Sequence, residues 1–449
     1  MRRSLTYILC AISSLKSAFS FQFSSFSRTT FPSRLHLTTS SFSRPTAISH
    51  ASPSGNNHSS SSSQVNLEKR TLDCLDFEVI TDALRNLTVT QYGRTIASER
   101  VSASSAEVNA QYSRVEELSP HVEILPIRSA MNIWPIMSAI EFNTAPPSQE
   151  DLAYFTHSIE EVNEVRQFLV ENQKSITLFN AELEDLVLPE ELTDAFLEAF
   201  DDDGNLNGAK YPVIGKLRKE MLTIRGQIVQ TMNSLLRSQL MKDKLADSGF
   251  IEYEGRFCLM LKNTFKKGVG IVHSSSNTGR SLYVEPMEVV EPTNEMKSLG
   301  AQLKAEENRI LFEMCRTIFA NRGPIEKAIR AVGELDVVKA KAKLGKRLAG
   351  VVPQVEDEGT IICQSAKHPI LLLRGVDARG NDFELSKSQS ALVISGPNAG
   401  GKTIVLKTAG LFALMVRHAI PLPVKRGARF DLMHCMADIG DMQTVSGRI

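Results

Sequence analysis

Ala391-Leu392-Val393-Ile394-Ser395 leads into Gly396-Pro397-Asn398-Ala399-Gly400-Gly401-Lys402-Thr403, and Ile404-Val405-Leu406-Lys407-Thr408-Ala409-Gly410-Leu411-Phe412-Ala413-Leu414-Met415 follows directly. A short β-prone run, a glycine-rich turn closed by Lys-Thr and a segment with a broad apolar face predict strand, loop and helix. That is the context a phosphate-binding loop requires. Gly396, Gly400 and Gly401 let backbone N–H groups converge on phosphate oxygens with no Cβ in the way. A helix opening at Lys402 adds its positive end to the same spot. Lys402 is expected against the β- and γ-phosphates and the Thr403 hydroxyl on Mg²⁺, so Gly396 to Thr403 are the expected ATP contacts.

Hydrolysis by such loops usually needs a carboxylate at the end of a second apolar strand as well. After Thr403 the acidic residues are Asp431, Asp438 and Asp441. Met433-His434-Cys435-Met436-Ala437-Asp438 imitates such a strand, but His434 interrupts it and no second acid follows Asp438. A strand-to-loop corner is the simpler reading. The residues therefore predict nucleotide binding with poor turnover by this chain alone, and no catalytic residue is assigned.

The 449 residues allow two or three domains, and 42% hydrophobic content is ordinary for a helix-rich globular protein. No apolar stretch reaches the roughly 18 residues of a membrane span. Residues 1–66 differ from the rest: about twenty serines, basic residues at Arg2, Arg3, Lys16, Arg28, Arg34 and Arg44, and no acid before Glu68. That composition predicts an organelle transit peptide, plastid rather than mitochondrion. Without the leader, 45 basic residues face 51 acidic ones, a net charge of −6. Nucleic-acid binding would then rest on a local basic patch. The six cysteines are widely spaced with no Cys-x-x-Cys pair, which argues against a zinc site or a disulfide framework.

From Leu67 to about Lys174 the pattern is helical, and Ser148 reads as the N-cap of a helix over Asp151–Glu171. Asp201-Asp202-Asp203-Gly204-Asn205 reads as a solvated turn, since the later ligands of a calcium loop are missing. Apolar spacing predicts long helices over about Tyr211–Leu245 and Asn294–Ile329. Between them, Phe257–Leu261, Gly270–Val272 and Ser281–Val284 read as strands. This insert carries Arg256, Lys262, Lys266, Lys267 and Arg280, a patch suited to phosphate-backbone contact. A second basic run, Lys339, Lys341, Lys343, Lys346 and Arg347, reads as a solvated helix face.

In this order the pieces resemble the MutS family, in particular its second branch, which lacks the mismatch-reading domain and usually ends in an Smr nuclease module. The resemblance is carried by Gly396–Thr403 with Val405-Leu406-Lys407-Thr408, by Lys367-His368-Pro369, and by Ile271-Val272-His273 with Tyr283-Val284-Glu285-Pro286. Leu335-Asp336, Ala340-Lys341-Ala342 and Ala437-Asp438-Ile439-Gly440-Asp441 add to it, and together these cover about residues 67–443.

The resemblance implies a multidomain α plus α/β protein: a helical core with long antiparallel lever helices and a small β-rich clamp, then a truncated P-loop α/β ATPase domain. The expected segments are 1–66 (leader), 67–204 (helical core), 205–350 (levers, with the clamp at about 251–292) and 351–449 (first part of the ATPase domain). It implies a homodimeric, DNA-dependent ATPase using ATP and Mg²⁺ on mismatched or branched DNA, with RNA or the ribosome as other partners and no membrane. His368 is implied near the nucleotide base. The family's Asp-Glu strand, trans-acting Ser-Thr motif and Smr module would follow this sequence, so truncation is expected. The rival expectation is a nucleic-acid or ribosome binding module without turnover.

Overall fold

The computed structural model describes residues 70–97, 99, 102, 104–142, 147–264, 268–276, 279–357, 359–389, 391–395, 401–432 and 437. In chain order the described helices and strands begin with α1 (Glu78–Arg85), α2 (Gln91–Ile96), α3 (Ser105–Leu118), α4 (Trp134–Phe142), α5 (Gln149–Glu171), α6 (Asn180–Asp185) and α7 (Glu190–Phe196). Next come α8 (Pro212–Arg237), α9 (Gln239–Lys242), β1 (Leu245–Tyr253), β2 (Arg256–Lys262), β3 (Gly270–Ser275) and β4 (Ser281–Pro286). The remainder is α10 (Met287–Ala320), α11 (Arg322–Arg347), β5 (Gln354–Glu356), β6 (Ile361–Ala366), α12 (Pro369–Leu373), β7 (Asn381–Leu385), α13 (Lys402–Arg417) and β8 (Arg429–Asp431). The result is a mixed helix-and-sheet protein, and none of its described helices is long and apolar enough to cross a membrane.

Two compact units emerge. Segments 84–100 and 113–343 form one, and 70–83, 101–112 and 344 onward form the other. These do not follow the sequence segments one for one, because 70–83 and 101–112 group with the residues around the phosphate loop.

The first unit is built on helix packing. Ser148 caps α5 as the sequence predicts: its hydroxyl accepts from the Asp151 amide at 3.1 Å while the Asp151 carboxylate accepts from the Ser148 amide at 2.9 Å. Phe155, Ile159 and Val162 of α5 bury against a core that also takes Ile325, Ile329, Val332 and Leu335 of α11. Asp201 accepts from the Asp203 and Asn205 amides and Gly204 turns at φ 76°, the solvated turn expected there.

Helices α8 and α10 pack as an antiparallel pair. Arg218 meets Glu307 at 3.3 Å, and Met221 comes up to Gly300, so residue numbers run in opposite directions. β1–β4 lie in the excursion between them as a sheet of order β1-β2-β4-β3, antiparallel throughout. Strand β1 has no counterpart in the sequence reading; the expected helix ends at Arg237, and Leu245 already belongs to the sheet. Alternation sets the faces: Phe257, Leu259 and Leu261 of β2 and Leu282 and Val284 of β4 bury against Ile224, Ile228 and Met232 of α8.

Two helical expectations are corrected. The single helix over Asn294–Ile329 is two, α10 and α11, parted at Asn321, whose side-chain amide donates to the Thr317 carbonyl at 2.9 Å. Gly323-Pro324 follows at once, and Pro324 cannot supply the N–H that a continuous helix would need. Nor is the basic run in α11 solvated throughout: Lys346 and Arg347 are exposed as expected, while its first two lysines are not. Lys339 and Lys341 are buried, and Lys339 Nζ donates to the carbonyls of Leu125 (3.0 Å) and Ile127 (3.1 Å). Burial, with Lys343 nearby, pulls the Lys339 ammonium below its ordinary value. Lys339 thus gives two carbonyls that lie outside any helix a donor.

The second unit has a sheet of order β5-β8-β6-β7, with β5 and β8 parallel and β6 antiparallel to both neighbours. Tyr112 is fully enclosed and donates to the Ile420 carbonyl at 2.9 Å. Ala391–Ser395, expected as a strand, pairs with no described strand, and Val393 is 86% exposed. Its β-prone composition is not enough, because a strand forms only where a partner ladder receives it.

Candidate nucleotide and nucleic-acid sites

Of the phosphate-loop residues, Gly401, Lys402 and Thr403 are described, and Gly396, Pro397, Asn398, Ala399 and Gly400 lie outside the described residues. Gly401 sits at φ 77°, left-handed, where a Cβ would be strained, and it turns the chain directly into α13. The first intrahelical bond runs from the Val405 amide to the Gly401 carbonyl at 3.1 Å. That leaves the first-turn amides of a 16-residue helix directed outward with the positive helix end. Lys402 and Thr403 are both half-buried. This junction suits a polyphosphate: backbone amides and the Lys402 ammonium would hold the anion, and the Thr403 hydroxyl would hold Mg²⁺, which neutralises phosphate charge when bound.

Within its unit, α13 is held by residues of segments 70–83 and 101–112. Lys407, 5% exposed, pairs with Asp76 at 2.9 Å. Gly410 lets Leu75 lie against the helix, since a Cβ there would come within 2.8 Å of the leucine methyl. Phe77 packs on His418 with ring centroids 5.1 Å apart, and the Ser102 amide donates to the Arg417 carbonyl at 2.9 Å. Thr71 Oγ1 accepts from the Ala437 amide at 3.2 Å.

His368 caps α12 with its backbone, and its ring is 2% exposed, with neither nitrogen hydrogen-bonded among the described residues. Burial first, then the Lys407 charge, pulls its pKa down to about 4, so the ring is neutral at physiological pH. Asp431 ends β8, and its carboxyl is raised above the usual range by burial and by Asp357. Asp438 lies outside the described residues.

The arm-borne sheet holds the other predicted residues. Arg256 and Lys262 stand at the two ends of β2, and Arg280 is exposed in the turn before β4. Lys266 and Lys267 lie outside the described residues. Lys262 is exposed, and its Nζ donates to the Asp243 carbonyl at 2.9 Å. Arg256 is more constrained: its guanidinium reaches both Glu285 oxygens at 3.2 and 3.3 Å. His273 Nε2 meets the same carboxylate at 2.7 Å. Glu285 is fully buried, so its charge is met by Arg256 and backed by His273. Gly270 makes this approach possible, because a Cβ there would collide with the Glu285 carbonyl.

Asp336, implied by resemblance to belong to the lever connection, closes a further buried network. Its Oδ2 accepts from the Val89 amide (2.8 Å), the Thr90 amide (2.7 Å) and the Thr90 hydroxyl (2.9 Å). Neither this nor the Asp76–Lys407 pair carries a spacing signal, since the partners are 246 and 331 positions apart.

A helix opened by a left-handed glycine in one unit, and a long antiparallel helix pair with a small, partly basic sheet in the other, carry the candidate nucleotide and nucleic-acid residues. Proteins named Endonuclease MutS2 are similar to it. The one from Enterococcus faecalis is 30% identical over 393 residues, 84% of this chain and 49% of that protein. The one from Pelotomaculum thermopropionicum is 32% identical over 283 residues, 63% and 36%. A putative endonuclease MutS2 of Bacillus subtilis is 26% identical over 391 residues, 84% and 49%. The chain thus spans about half the length of the curated relatives it matches. No protein-family profile matches it.

Proposed function

We propose that this chain carries the arm and the phosphate-loop part of a MutS-type, ATP-binding DNA clamp of the second branch. In this reading Gly396 to Thr403 hold ATP with Mg²⁺, and paired nucleotide units of two copies close on it. The arm sheet then grips mismatched or branched DNA through Arg256, Lys262, Lys266, Lys267 and Arg280. The leader at 1–66 points to a plastid and a role in organelle repair or recombination control. The observation that carries the reading is the left-handed Gly401 opening α13 at Lys402, with similarity to MutS2 proteins running along the same chain.

The test is salt-dependent binding of the full chain to a four-way junction, a mismatched duplex and a matched duplex. Lys262→Glu and Arg280→Glu are each expected to weaken all three and to flatten the slope of log K against log salt by about one. Unchanged affinity and slope in both variants would remove the clamp assignment. Binding that responds to the variants but never to ATP would favour the module without turnover.

A further inference from the structure

The sheet has a second face, turned away from α8. Register places Tyr253 opposite Arg256, Ile251 opposite Cys258, Tyr283 opposite Met260 and Ile271 opposite Glu285. These residues alternate with the buried core positions of their strands, so they share the outer face. Tyr253 and Tyr283 are half-buried and lean together over Cys258, centroids 5.4 Å apart and planes at 39°. Met260 is half-buried and Ile271 is 43% exposed on the same surface. Arg256 stands at one end of this strip and Lys262 at the other.

Charge on this face is one-sided. Among these positions the only carboxylate is Glu285, enclosed beneath Arg256 and His273. Glu252 belongs to the opposite face, where it pairs with Arg225 at 3.2 Å. A two-ring floor between cations matches a ligand that is planar, aromatic and joined by phosphates. Duplex DNA offers its phosphates to such a face but keeps its base planes stacked inside, so the rings gain nothing from it. An unpaired strand offers both.

We propose that this face binds single-stranded DNA, with bases stacked on Tyr253 and Tyr283 and phosphates against Arg256 and Lys262. This rests on the clamp reading above and gives it a substrate feature: the unpaired segment at a branch or flap. Arg256 is then prepositioned by Glu285, and its guanidinium, though paired, keeps N–H groups free of the carboxylate because it has five donors.

The experiment measures anisotropy of labelled thirty-nucleotide oligo-dT, a thirty-base-pair duplex and oligo-U of equal length with the full chain. Tyr253→Ala with Tyr283→Ala is expected to weaken oligo-dT about tenfold or more while the duplex changes less than about twofold. Tyr253→Phe with Tyr283→Phe, which keeps the rings, is expected to restore oligo-dT binding. Lys262→Glu is expected to weaken both. Four outcomes overturn the inference: no wild-type binding of oligo-dT, an alanine pair that binds it like wild type, a phenylalanine pair as weak as the alanine pair, or tighter wild-type binding of oligo-U. If Lys262→Glu weakens duplex while the tyrosine variants leave oligo-dT unchanged, only the stacking inference falls. If neither Lys262→Glu nor Arg280→Glu changes either ligand, the clamp reading falls and takes the inference with it.

Discussion

Asp76→Asn removes one charge beneath the phosphate-loop helix and changes little else. Asp76 lies at φ 54°, a left-handed conformation that Asn tolerates as Asp does, whereas alanine would add backbone strain. Its partner Lys407 is 5% exposed with Nζ at 2.9 Å, and the buried His368 ring near it is neutral. Breaking a fully buried pair from one side costs about 3–5 kcal/mol. The Asp76 side chain is 20% exposed and the new amide oxygen still accepts from the ammonium, so we expect about 2 kcal/mol. Native-state hydrogen exchange on peptides covering α13 reads this locally, which matters in a chain of two units whose global unfolding need not be two-state. Exchange through local opening is expected to accelerate about thirtyfold, since each 1.4 kcal/mol is a factor of about ten. Adding Lys407→Met to Asp76→Asn is expected to recover most of the loss. Exchange within a factor of two of wild type in the single variant would refute the claim that segment 70–83 fixes the helix through this charge pair.

Other consequences follow from single side chains. His368 has its folded pKa lowered from 6.5 to about 4. The unfolded chain therefore takes up a proton first, and stability present above pH 6.5 declines as pH falls towards 4. At about 1.4 kcal/mol per pH unit the effect approaches 3 kcal/mol. Urea midpoints measured from pH 7 to 4 should show this decline reduced by that amount in His368→Phe, and parallel curves would count against it. Gly270→Ala drives a Cβ into the Glu285 carbonyl and should unpair β3 from β4, seen as lost exchange protection in both strands; retained protection would contradict the register. Asp336→Ala strips one acceptor from three donors and is expected to cost about 3–5 kcal/mol in urea unfolding, against about 1 kcal/mol for Asp336→Asn. Equal losses in the two variants would show that the hydrogen bonds are not what matters there.

What the sequence made legible was local and periodic. The alternation of Phe257, Leu259 and Leu261 marks a one-sided strand, Ser148 with Asp151 marks a helix start, and Gly401-Lys402 marks a loop-to-helix junction; each signal spans a few residues. β1 was hidden because Asp247-Ser248-Gly249 interrupts its alternation, where the register to β2 also shifts, so Leu245–Tyr253 shows no clean strand period. The α11 lysines misled because Lys339 and Lys341 carry a solvent-like composition, while the carbonyls that receive Lys339 lie more than two hundred positions away. Topology also concealed the Asp76–Lys407 pair, 331 positions apart, and the meeting of Glu285 with Arg256 and His273, 29 and 12 positions away on neighbouring strands. Ala391–Ser395 shows the converse, a strand-like composition without a described partner.

The central claim is that α13 opens on a nucleotide. Calorimetric titration of the full chain with ATP, with and without Mg²⁺, tests it most directly, alongside Lys402→Ala. Saturable, Mg²⁺-strengthened binding that disappears in Lys402→Ala, with the variant's circular dichroism unchanged, is the predicted result. Equal ATP binding by wild type and a folded Lys402→Ala, or none by either, would contradict it.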